Sequence, residues 1–138
     1  MIDFMRMRWL IRQESELSWK YEKELSKASK RTAGFSESAG SIRGYKSGSK
    51  VEEGGIMLAI ISEELDRIRG MLMDQRKELL TEMECLEDPN QRMIIKLRYI
   101  QGVGPRVIAR TINYSESHVF RMLNKAERAI ITAGAGQT

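Results

Sequence analysis

The chain has little of what most catalytic or exported domains depend on: one cysteine, one histidine and two prolines in 138 residues. A lone cysteine, Cys85, excludes an internal disulfide and any cysteine-based zinc site. The lone His118 stands far from it in what reads as a different helix, and there is no Gly-rich phosphate loop and no Asp/His cluster. That leaves no constellation for acid–base, nucleophilic or metal chemistry, so the expectation is a protein that is not an enzyme and takes no cofactor or metal. Cys85, between Met83 and Leu86, is expected as a small buried side chain. Long apolar runs are also missing. The longest, Ile56 to Ile61, would barely fill two helical turns and falls far short of a membrane span. The opening MIDFMRMRWLIR mixes arginines into its apolar residues and has neither the uninterrupted apolar core nor the small-residue cleavage site of a signal peptide. A cytoplasmic chain with no membrane partner is expected.

What the chain does have is methionine, nine of them, with few β-branched alternations, which points to an all-α protein. Its net charge of +4 is modest, but the distribution is uneven: residues 1–50 balance at +5, 51–87 at −6 and 88–138 at +5. A basic C-terminal module joined to an acidic middle segment would meet nucleic acid through its end, with the middle repelled from it.

Five segments follow from the pattern. Residues 1–31 read as an amphipathic helix from about Asp3, with Met7, Leu10, Leu17, Tyr21, Leu25 and Ala28 in one stripe. Residues 32–50, TAGFSESAGSIRGYKSGSK, read as a flexible Ser/Gly linker. Its Arg43, Lys46 and Lys50 could serve as a contact arm for nucleic acid, but nothing fixes their geometry, and a solvated connection is the plainer reading. Residues 51–87 read as one long acidic helix. Leu58, Ile61, Leu65, Ile68, Leu72, Leu79 and Leu86 follow the three-four spacing of a coiled coil, with Gln75 and Glu82 as polar seam positions. A seam of this length exceeds what residues 3–31 can cover, which predicts a homodimer through the long helix. Residues 88–132 hold three further helices. Asp88 caps the first, Pro89 occupies its first turn and Gln91 completes a capping box. That helix is expected to run to about Ile100, burying Met93, Ile94, Leu97 and Ile100 or Tyr99 and leaving Arg92, Lys96 and Arg98 in solvent. Residues 133–138 are expected to be disordered.

The stretch Pro105 to Ile131 organises the rest. It reads as two helices broken at Asn113-Tyr114-Ser115. Val107, Ile108 and Ile112 mark the inner side of the first, with Ala109 where another helix must come close. Val119, Met122, Leu123, Ala126 and Ile130 mark that of the second. Ser115 stands where a hydroxyl should cap the second helix, and Asn113 where the turn calls for a left-handed backbone. A plain helical hairpin would use the same core. What separates the two readings is charge: Arg106, Arg110, Arg121, Lys125 and Arg128 fall mainly between the buried positions, as a phosphate backbone demands. The fold expected is therefore all-α: an N-terminal helix and a long coiled-coil-like helix, followed by a C-terminal three-helix helix-turn-helix domain.

The run DPNQRMIIKLRYIQGVGPRVIARTINYSESHVFRMLNKAERAI resembles the C-terminal helix-turn-helix region of bacterial sigma factors. The likeness rests on Arg98-Tyr99 before the Gly102 turn, Ile108-Ala109, the Ser115 cap, Val119 and Lys125-Ala126. The whole plan, including the KVEEGG start of the long helix, is similar to a phage and prophage family of small sigma-like transcription regulators of the RinA and ArpU type. Sigma factors place arginines where His118 and Phe120 stand here, so their base contacts do not transfer directly. The resemblance implies a regulator that binds double-stranded DNA at phage promoters in the bacterial cytoplasm, associated with the nucleoid, with host RNA polymerase as a further partner. Carried over residue by residue, it implies base-edge contacts from Ser117, His118 and Arg121. It assigns phosphate contacts to Arg106, Arg110, Tyr114, Ser115, Lys125 and Arg128. Two other readings use the same features: a small terminase-like DNA-packaging subunit, and an adaptor that binds RNA polymerase or a sigma factor through the acidic helix.

Overall fold

The computed structural model describes residues 1–37 and 44–135, with side chains described for 1–29 and 53–135. Among these residues the chain is all-helical. α1 spans Phe4–Glu37, α2 Gly44–Glu82, α3 Pro89–Ile95, α4 Pro105–Ile112 and α5 Glu116–Ala135. Both long helices run further into the segment 32–50 than its composition suggests: α1 continues to Glu37 and α2 begins at Gly44, so a linker of the predicted length does not stand. A helix that is already nucleated propagates through an occasional Gly or Ser, each weakening it by no more than about 1 kcal/mol. Residues 38–43, with Arg43, lie outside the described part, as do the side chains of Lys46 and Lys50 and residues 136–138; the first three residues of the tail expected to be disordered, 133–135, instead continue α5.

The described residues form two compact units, 12–70 and 1–11 with 71–138. In the first, α1 and α2 run antiparallel. Ile61, Leu65 and Ile68 of the expected seam are buried, Leu65 beside the half-buried Tyr21. Arg69 reaches across to Ser18 at 3.3 Å and to Glu14 at 4.0 Å. Leu25, expected in the α1 stripe, is 46% exposed.

The second unit is built on one core: Ile2, Phe4 and Met7 from the first residues, Leu79, Met83 and Leu86 from the end of α2 onward, and the inner faces of α3, α4 and α5. α2 stops at Glu82, short of the expected residue 87. Met83–Cys85 tighten into a 3₁₀ turn, Leu86 is extended, and Asp88 is extended before Pro89, a residue whose ring disfavours helix at the preceding position. This early stop leaves Cys85 exposed rather than buried. The Asp88 carboxylate accepts from the Asn90 N–H at 2.9 Å, capping α3. Arg92 is exposed, as expected, and from there donates to the carbonyls of Leu86 and Glu84, satisfying acceptors that the end of α2 leaves open.

After Ile95 the backbone widens into a π turn, Lys96–Ile100, with the Gln101 N–H bonded to the Lys96 carbonyl at 2.9 Å. The extra residue resets the facing beyond it, so that Tyr99 is buried while Leu97 and Ile100 are half-buried; in α3 itself Ile94 and Ile95 are buried and Met93, expected inside, is 38% exposed. Gly102 then takes φ +70°, which any side chain would resist, and Gly104 hands over to Pro105.

Candidate nucleic-acid interface

α4 and α5 are joined by a turn whose chemistry the sequence spells out. Asn113 has φ 60° and ψ 44°, a left-handed conformation that Asn tolerates and β-branched residues do not. The N–H groups of Asn113 and Tyr114 both return to the Ala109 carbonyl, closing α4. Ser115 Oγ then accepts from the His118 N–H at 3.1 Å, opening α5. Ile108 and Ala109 of α4 are buried, as are Val119, Leu123, Ala126 and Ile130 of α5, so the first helix braces the second. Val107 departs from expectation at 51% exposure. At ~100° per residue it points well away from the direction shared by Ile108, Ala109 and Ile112, and lies on the outer surface of α4.

The residues expected to meet DNA fall largely on the outside of this pair. Arg106, Arg110, Tyr114, Ser115, Ser117, Arg121, Lys125 and Arg128 are all exposed. Ser117, Arg121 and Arg128 share one stripe along α5, opposite the buried face. His118 sits on a flank, half-buried, its ring edge-on to Tyr114 with centroids 4.8 Å apart. Glu116, at the start of α5, faces Arg106 at 3.9 Å, both side chains open to solvent. It therefore touches a cation assigned to phosphate as well as the positive end of its own helix.

Sequence reasoning missed a polar network behind this surface. Glu127, only 8% exposed, accepts from Arg8 Nη1 at 2.8 Å and from the Tyr99 hydroxyl, and Arg8 Nη1 also donates to Tyr99 Oη at 2.9 Å. Burial, and next the Glu127 carboxylate, push the Tyr99 hydroxyl well above its ordinary pKa. The network ties the first residues of the chain and the π turn to the inner edge of α5. Its signal was present at one end: Glu127 falls at the three-four spacing of Leu123 and Ile130, on the buried side. Arg76, also unforeseen, donates to the Tyr99 carbonyl at 2.7 Å and steadies the same turn. Beside the network an open cleft is lined by Met1, Met5, Arg8, Asn124, Arg128 and Ile131.

Among the described residues no three His, Cys, Asp or Glu side chains converge on a metal-sized site, and no helix is long and apolar enough to cross a membrane. The architecture is that of an all-α protein whose C-terminal helices adopt helix-turn-helix geometry. The chain belongs to the family described as a protein of unknown function (DUF1492), whose family model matches residues 41–130. No curated protein and no solved structure matches the chain.

Proposed function

We propose that this protein is a sequence-specific, double-stranded-DNA-binding transcription regulator of the sigma-like RinA and ArpU type, acting on phage promoters in the bacterial cytoplasm. The observation that carries the reading is the outer stripe of α5, with Ser117, Arg121 and Arg128 in line and Lys125 beside them, held by the Asn113 turn and the Ser115 cap. A capped helix of this kind offers base-reading side chains to the major groove and cations to the phosphates alongside. In this reading Ser117, His118 and Arg121 read bases. Arg106, Arg110, Lys125 and Arg128 hold phosphates, assisted by the hydroxyls of Tyr114 and Ser115.

The protein acts as a homodimer through the long helix. The predicted shortfall in cover for its seam is smaller than expected, because Leu79 and Leu86 are buried in the core shared with α3, α4 and α5. What supports dimerisation instead is an apolar cluster on the outer side of α2, where Ile56, Met57 and Ile60 are 61%, 49% and 56% exposed. The same cluster, set among Glu53, Glu63 and Glu64, favours a second reading as an adaptor for host RNA polymerase. Gel-shift titration on phage intergenic duplexes at low salt tests the first reading. Binding that Arg121→Ala weakens by about 1–3 kcal/mol on the preferred site alone supports it, and absence of binding to any such duplex overturns it. A polymerase pull-down that survives loss of Arg106, Arg110 and Arg121 would support the adaptor, and a ring-sized oligomer by mass photometry a packaging subunit.

A further inference from the structure

We infer that Asn124 is a base-reading residue aimed at adenine, with Phe120 beside it for the methyl group of thymine; the inference rests on the DNA-binding reading above and names the kind of sequence that surface selects. On α5 the steps Ser117 to Arg121, Arg121 to Asn124 and Asn124 to Arg128 are four, three and four residues, so the four side chains lie in one straight row. All four are exposed, and the row runs opposite Val119, Leu123, Ala126 and Ile130, the residues that anchor the helix. A helix docked by its free side brings this row to the groove, with Arg121 at its centre, Asn124 on the side that borders the cleft lined by Met1, Met5 and Arg8, and the half-buried His118 on the other.

Within that row Asn124 is the only uncharged amide. Asparagine is a poor helix former, so its place in the third turn of an exposed helix owes nothing to helix stability. Among the described residues no hydrogen bond engages its carboxamide, which leaves both donor and acceptor free. That pair matches the N7 acceptor and N6 donor of adenine in the major groove, as the Arg121 guanidinium matches the two acceptors of guanine. Ser117 and Asn124 are seven residues apart, about 10 Å along the helix axis. That distance spans about three base-pair steps, so Arg121 and Asn124 address neighbouring or next-neighbouring pairs.

Phe120 lies one turn before Asn124 and leaves 47% of its surface in water, on the same side of α5. Apolar contact with a thymine methyl would cover it. The target therefore holds a G·C pair beside an A·T pair, read by Arg121 and by Asn124 with Phe120.

The test is selection of the full-length protein on a pool of random-sequence duplexes, repeated with Asn124→Ala, Phe120→Ala and Arg121→Ala. Asn124→Ala should enrich the wild-type motif with one adenine preference reduced about tenfold, within three positions of the guanine whose preference Arg121→Ala removes. Phe120→Ala should relax a thymine at or next to that adenine. An unchanged adenine preference in Asn124→Ala overturns the assignment, as does a uniform loss of affinity for every sequence. A wild-type protein that binds duplexes but enriches no motif overturns base reading altogether, and one that binds none overturns the DNA-binding reading from which the inference starts. Thermal melting of each variant, expected within about 2 °C of wild type for exposed positions, separates loss of reading from loss of fold.

Discussion

Replacing Arg8 with Met should destabilise the protein although the residue lies at the far end of the sequence from the helix it supports. The substitution keeps most of the apolar stem but removes the guanidinium that faces Glu127, whose side chain is 11% exposed against 39% for Arg8. Stranding one partner of a fully buried ion pair costs about 3–5 kcal/mol. Here the removed guanidinium stood at the edge of solvent, so water enters the space beside Glu127 and screens its charge, and a discounted figure of about 1–2 kcal/mol is expected. For a chain of this size that corresponds to a drop of about 4–8 °C in melting temperature at pH 7, readable by calorimetry or circular dichroism. Glu127→Met in the same background should recover part of the loss, because an apolar pair strands no charge, and the two effects should therefore fail to add. A melting temperature within about 1 °C of wild type for Arg8→Met, or strict additivity in the double variant, would refute the claim that the first residues clamp α5 through this network.

Three further outcomes follow from the same geometry. Asn113→Gly should leave stability to urea nearly unchanged, whereas Asn113→Val, forced into a left-handed backbone, should lower it by about 1–2 kcal/mol. The Tyr99 hydroxyl has its pKa raised in the folded state, so the stability it contributes is complete below about pH 10, the unfolded value, and is lost as pH rises further. Urea titrations between pH 9 and pH 11 should show a steeper alkaline decline for wild type than for Tyr99→Phe. Glu116→Gln should tighten DNA binding, because it removes a negative charge from the groove-facing end of α5 and releases Arg106, and a fluorescence-anisotropy titration showing weaker binding would count against the placement of both residues at the interface.

The parts of the structure that the sequence announced are those governed by local rules. The left-handed Asn113, the Ser115 hydroxyl on the His118 N–H and the Asp88-Pro89 start of α3 each depend on neighbours within a few positions, and each stands as expected. The three-four spacing along α2 likewise picked out Ile61, Leu65, Ile68, Leu72 and Leu79, all buried. What escaped was set by distance or by a change of period. Arg8 and Glu127 meet across 119 positions, and no local pattern pairs a half-exposed arginine with one carboxylate among many. The π turn put Tyr99 rather than Leu97 or Ile100 against the core, and the stop of α2 at Glu82 left Cys85 exposed and freed carbonyls for Arg92. On the outer surface of α5 the spacing of exposed residues was legible throughout.

The most direct test of the account is the dependence of duplex affinity on salt. Four cations assigned to phosphates, Arg106, Arg110, Lys125 and Arg128, predict that log Kobs falls against log salt concentration with a slope of about −3.6 per bound chain, and that Lys125→Ala flattens it by about 0.9. Duplex binding that is absent at low salt, or a slope that none of these four substitutions changes, would contradict it.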